Sequence, residues 1–218
     1  MRTKNPMRGL LCYFYYPAKG NIVIIFTAII ILAAVAITTG HELAYNAFVM
    51  IGIAGLPYTI ILSMGGKSYP RWERFQLTMP VRRRHLIGSQ YLCILLTSIV
   101  GIPFVLLGTW LCFNYQEALF EYNLLIALVN ILPVLGMPLI LAGVLFPLAS
   151  TKFGENKGEI FFGIGIAVAF GTNMLVGWVG NRLEWAVGII SIAAFAVAVV
   201  VFVASHYITS RIYAKMDF

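Results

Sequence analysis

The sequence predicts an all-α protein that crosses a bilayer six times with both ends on the cytoplasmic side, and three observations carry that prediction. The chain is 61% hydrophobic and only 11% charged, whereas soluble domains are about half apolar and about a quarter charged. Its apolar residues gather into runs of about 18 to 25, the length a helix needs to cross about 30 Å of hydrocarbon. All the lysines and arginines except Arg182 lie on segments that such a six-span path leaves on one side. That asymmetry is the positive-inside rule, and it accounts for the net charge of +7 without a nucleic-acid partner.

The six runs cover residues 21–39, 47–66, 91–113, 124–150, 160–178 and 185–207, and the whole chain, 1–218, reads as a single transmembrane domain. Membrane strands are excluded, because barrel strands show short alternating segments of about ten residues, and these runs are apolar all round. Residues 1–19 come first. Met7, Leu10, Leu11 and Phe14 recur there at helical spacing, which predicts an amphipathic helix lying in the inner interface and ended by Pro17. Ala34-Val35-Ala36 after a basic start imitates a signal peptide, but a basic region of about twenty residues with its own amphipathic pattern argues for retention. Trp178 and Trp185 flank an outer loop as interfacial aromatics do. Pro133, Pro138 and Pro147 place bends in the fourth span, where neighbouring helices satisfy the freed backbone groups.

The longest loop between spans, residues 67–90, carries the most information. Ser68 and Pro70 are helix-start signals and Pro80 is a stop, framing a short cytoplasmic helix. Tyr69, Trp72, Phe75 and Met79 share one side of it, with Arg71, Glu73 and Arg74 elsewhere. Such a helix lies on lipid or fills a groove on a cytoplasmic partner. Arg82-Arg83-Arg84 suits anionic lipid or topological anchoring.

Enzymatic patterns are missing. His41, His85 and His206 are isolated, no zinc-protease or nucleophile-elbow spacing occurs, and neither catalytic residues nor a metal site are expected. Cys12, Cys93 and Cys112 lack metal or disulfide spacing and read as small buried hydrophobes. Glu117 and Glu121, one turn apart, read as a solvated acidic loop more readily than a cation site. Gly66-Lys67-Ser68 imitates the end of a phosphate-binding loop, but Ile61 stands where the first glycine belongs, so this chain is not expected to bind ATP. The spans hold no Asp, Glu, Lys or Arg and no ionisable group near their middles, which disfavours an ion-coupled carrier. Thr97, Ser98, Asn130, Thr172 and Asn173 are the polar residues within them that mark a possible cargo path, and they serve equally as bonds between helices.

The block Trp72-Glu73-Arg74-Phe75-Gln76-Leu77-Thr78-Met79-Pro80-Val81-Arg82-Arg83, followed by Gln90-Tyr91-Leu92, resembles the loop between the second and third spans of bacterial ABC-2-type transporter permeases. Lys152-Phe153-Gly154-Glu155-Asn156-Lys157 resembles the stretch that opens the fifth span in the small permeases of phenol-soluble modulin exporters. The chain departs from these patterns at Arg82, Gln90 and Glu159. The resemblance implies that Tyr69, Arg71, Trp72, Glu73, Arg74, Phe75 and Met79 form a coupling helix docked on a separate ATP-binding cassette ATPase, which would bind ATP and Mg. It places Lys152, Phe153, Gly154 and Lys157 in a second cytoplasmic loop. A second permease chain, as homodimer or heterodimer, a bacterial plasma membrane and export of amphipathic peptides complete the expectation. Two other classes are compatible with the pattern: a non-transporting immunity or sensor protein that recruits a cytoplasmic partner, and an ion-coupled carrier.

Overall fold

A computed structural model describes residues 6–64, 83–115, 124–149, 154–182 and 187–215, and all of them except the 40–41 turn are helical. The helices are α1 (Pro6–Thr39), α2 (Glu42–Met64), α3 (Arg83–Tyr115), α4 (Leu124–Ala149), α5 (Gly154–Arg182) and α6 (Val187–Lys215). Apolar segments long enough to cross a bilayer lie in five of them: Ala18–Thr39, Glu42–Leu62, His85–Tyr115, Ile131–Leu148 and Gly188–Ala214. The fifth predicted run falls on α5, whose described apolar stretch is the shorter Gly163–Val176. The large apolar side chains that stay exposed, such as Ile24, Ile31, Leu107 and Val200, are those that hydrocarbon rather than water would solvate.

One predicted boundary is corrected. The helix does not end at Pro17: α1 continues through it as a single 34-residue element. A proline removes one backbone bond and costs about 3 kcal/mol inside a helix, so something must hold both sides of it in line. Leu11, Ala18, Ile22, Ile25, Ile29, Leu32 and Ala36 supply that restraint, with the core-forming residues recurring every three, four or seven positions. One seam therefore runs from before the proline to the end of the helix. α3 is already helical at Arg83, about two turns before the expected span begins at Tyr91.

Gly40, with φ of 63°, ends α1 in the left-handed conformation that glycine adopts without a steric penalty, and its N–H donates to the Ala36 carbonyl at 3.1 Å. The chain reverses there and α2 begins immediately. α1 packs on α2 and α3, and α5 packs mainly on α4. Between these flanks α4 touches α2, α3, α5 and α6, so every residue from Gly136 to Gly143 is buried and α4 has no lipid face there. A helix apolar all round is what a central position requires.

Backbones come closest between α2 and α3. A Cβ on Gly101 would run into the Gly52 carbonyl oxygen, and one on Gly52 would strike the Val105 side chain. Lipid tails are as apolar as side chains, so helices in a bilayer associate through such close approach instead of hydrophobic gain. Gly108 makes room for the Phe48 ring in the same interface. Gly163 and Gly171 on α5, in contrast, face open space.

These two settings predict opposite outcomes for the same substitution. Gly101→Ala should destabilise the purified protein by about 3 kcal/mol or more through overpacking against backbone, while Gly171→Ala should be neutral or stabilising by up to about 1 kcal/mol through helix propensity. Thermal unfolding in mild detergent, followed by size-exclusion chromatography, measures both, and equal melting temperatures would contradict the packing described.

Candidate functional site

The predicted coupling residues Tyr69, Arg71, Trp72, Glu73, Arg74, Phe75 and Met79 lie outside the described residues. What is described is the anchorage on either side: α2 ends at Met64 and α3 begins at Arg83. Leu86, Ile87, Ser89, Gln90 and Tyr91 are all buried, so the first turns of α3 are gripped by the bundle instead of trailing from it. The Ser89 hydroxyl donates back to the Leu86 carbonyl at 2.6 Å, satisfying itself within the helix.

Tyr91 is the centre of this region. Its ring packs edge-on against Phe146 of α4 at 4.9 Å, and against Phe202 and His206 of α6 at 5.0 Å each. Edge-to-face contacts at these separations match the quadrupoles of the rings. Its hydroxyl shares hydrogen bonds with Ser205 at 2.6 Å and Thr209 at 3.0 Å, two side chains one helical turn apart on the same face of α6. A single residue of α3 thus reaches two other helices, through aromatic contact and through hydroxyls. A second hydroxyl pair, Tyr45 with Thr109 at 3.2 Å, ties α2 to α3 near the other end of the bundle.

The possible cargo-path residues divide. Thr97 donates to the carbonyls of Cys93 and Ile94, both at 2.9 Å, and Ser98 donates to Ile94 at 2.9 Å. Thr172 donates to Val168 at 2.7 Å. These three hydroxyls are spent on their own helices and present no shared polar surface. Asn173 alone of the five is described reaching another helix, donating to the Met137 sulfur at 3.4 Å; Asn130 lies on α4, with its side chain outside the described residues. Of the second cytoplasmic cluster, Lys152 and Phe153 fall outside the described residues, while Gly154 and Lys157 stand in the first turns of α5. Cys93 and Cys112 are free and buried, as their apolar surroundings predict.

Sequence reasoning did not find the Tyr91, Ser205 and Thr209 cluster. Ser205 and Thr209 stand four residues apart, on one face of the last predicted span and its continuation, which was a usable signal, but nothing in that spacing names Tyr91 as the partner. Arginine–aromatic pairs mark opposite ends of the bundle. Arg211 donates to the Tyr207 hydroxyl and sits 4.4 Å from that ring centroid, and Arg182 lies 5.6 Å from the Trp178 ring. Such pairs suit the wet edges of a bilayer, where a cation and an amphipathic ring both reach water. Among the described residues no group of three metal-ligating side chains occurs, and the buried polar side chains are hydroxyls and one amide.

A helical bundle with five membrane-length apolar helices, apolar outer surfaces and interior hydroxyl links defines the class as a multi-pass membrane protein. The profile of the ABC-2 family transporter protein matches residues 13–214. The chain belongs to that family, whose members are membrane transport components and work in general with an ATP-binding cassette subunit. No curated protein and no solved structure matches it.

The geometry predicts unequal costs at two neighbouring sites. Phe146→Ala removes a buried ring from the Tyr91 contact and should cost about 3–5 kcal/mol. Thr97→Val removes a hydroxyl that bonds only its own helix and should fall within about 0.5 kcal/mol of wild type. Denaturant unfolding in mixed micelles measures the difference, and similar losses for both variants would contradict it.

Proposed function

We propose that the chain is the permease subunit of an ATP-driven exporter in a bacterial plasma membrane, crossing it six times with α5 as the additional span. Two permease chains, identical or different, would work with two ATP-binding cassette subunits that hold ATP and Mg. The observation that carries the reading is the family match, which extends over nearly the whole chain.

The sequence pattern of residues 68–79 supports the coupling role, with Tyr69, Trp72, Phe75 and Met79 on one side of a helix and Arg71, Glu73 and Arg74 available for charged contacts. The segment joins two helices that approach backbone to backbone, so a displacement imposed on it is passed to a rigid pair. Basic residues at both termini and in the 67–90 and 152–157 segments favour cytoplasmic placement of those parts. The start of α1 would then extend, in line with its span, to the inner interface.

The cargo proposed is an amphipathic peptide or another largely hydrophobic molecule, extruded from the cytoplasm or inner leaflet. Support comes from the predominantly apolar interior and from the resemblance at residues 152–157. The same interior disfavours an ion-coupled carrier, since the buried polar side chains among the described residues include no ionisable carboxylate, ammonium or imidazole. A sensor or immunity protein would share the loop helix but would lack cargo-stimulated ATP hydrolysis.

Tagged chain purified in mild detergent should carry an ATP-binding cassette ATPase with it. Trp72→Ala should weaken that association by about 2 kcal/mol, the loss typical of an aromatic anchor at an interface centre, without affecting membrane insertion. Titration of the ATPase against each variant in nanodiscs measures it. Wild-type affinity in Trp72→Ala would remove the coupling assignment, and a tag on either terminus that reacts with an impermeant reagent on intact cells would overturn the orientation.

A further inference from the structure

We infer that Tyr91 is a positioning residue that carries movement of α3 to α6, acting through its hydroxyl bonds to Ser205 and Thr209. The inference rests on the reading of the chain as an ATP-driven permease, and it assigns a role within that machine to a residue outside the proposed docking surface.

Three observations support it. Tyr91 stands about two turns into α3, close to where the 65–82 segment joins that helix. It is 4% exposed, and its contacts reach Phe146 on α4 and Phe202, His206, Ser205 and Thr209 on α6. The join between α3 and α6 is also narrow, for α6 packs far more extensively on α4 than on α3. A polar tie at a narrow contact has a disproportionate share in keeping the two helices in register.

The chemistry fits a tie that transmits displacement. Hydroxyl bonds are directional, so pulling α3 along its axis loads the Ser205 and Thr209 side chains in addition to the packed rings. The two hydroxyl partners lie one turn apart on α6, and hydroxyl hydrogens rotate freely, so the bonds survive small shifts by changing which group donates. Neighbouring Ser210 has a buried hydroxyl without a hydrogen-bond partner, leaving one further polar position on the same turn of α6.

A packing role and a tie respond differently to loss of one atom. Tyr91→Phe keeps the ring among Phe146 and Phe202 and removes only the hydroxyl. Ser205 and Thr209 then bond carbonyls of their own helix, as Thr97 and Thr172 already do. The fold therefore survives while the link is cut.

The test uses the full chain in nanodiscs with its co-purified ATPase, with the native cysteines replaced by alanine and nitroxide labels introduced by Tyr115→Cys on α3 and Ile189→Cys on α6. Both label positions are exposed and stand at the end of the bundle away from Tyr91. In the parent complex, ATP, Mg and orthovanadate should shift the distance between the labels. Tyr91→Phe should reduce the shifted population by about tenfold, as expected for loss of two buried interhelical hydroxyl bonds, while ATP hydrolysis persists. Ser205→Ala with Thr209→Val should reproduce that loss and add nothing to Tyr91→Phe; Ser205→Thr with Thr209→Ser, which keeps both hydroxyls, should behave as the parent.

A full shift in Tyr91→Phe overturns the inference alone. Absence of any shift in the parent complex overturns the ATP-driven reading beneath it, and the inference with it. If Tyr91→Phe does not reach the membrane, the Ser205→Ala, Thr209→Val pair decides, since a full shift there equally refutes the tie.

Discussion

Inside hydrocarbon, pressing one apolar helix against another gains nothing over leaving each against lipid, so association has to come from how closely the backbones approach and from bonds between polar atoms. This bundle shows both in different places. α2 and α3 meet at Gly52 and Gly101, where a single methyl group would collide with a carbonyl oxygen. α3 and α6 meet over a narrow contact and are joined by the Tyr91 hydroxyl with Ser205 and Thr209. Removing either device leaves the helices individually stable, because their backbone bonds are internal, but removes a reason for them to stay in register.

The remaining architecture follows from that constraint. α4 is surrounded along Gly136–Gly143, and its small residues let neighbours close in, Gly136 against Ala198 and Gly143 against Val201. The prolines at 133, 138 and 147 fall on this same helix, which runs through all three. Pro138 is buried and Pro133 and Pro147 are half-buried, and neighbouring helices make them tolerable by shielding the backbone groups that each proline leaves without a partner. α1, with partners on one side, shows the opposite distribution: a buried seam and an outer face of isoleucine and valine.

For the transport reading, the arrangement separates a receiving element from a moving one. The 65–82 segment is attached to the tightly apposed α2–α3 pair, which packs on α4 through both of its helices and meets α6 over a narrower contact bridged by Tyr91.

Much of this was legible in the residues. Helical class, membrane residence and the approximate spans follow from run length and charge exclusion, because crossing about 30 Å of hydrocarbon dictates them whatever the neighbours do. The burial of Cys93 and Cys112 followed from their apolar surroundings. Three features were decided only by tertiary contact. Pro17 lies within α1 because a seam of side chains on both sides of it packs on the same core, which local propensity cannot report. Thr97, Ser98 and Thr172 bond their own helices while Ser205 and Thr209 bond Tyr91, a distinction between residues of the same chemistry that depends on which helix lies opposite. The Gly101 contact likewise differs from the open face at Gly171 through a neighbour and not through any local signal. Sequence determines what each helix must exclude or tolerate as a segment; the pairing of helices determines which of its polar and small residues find a partner.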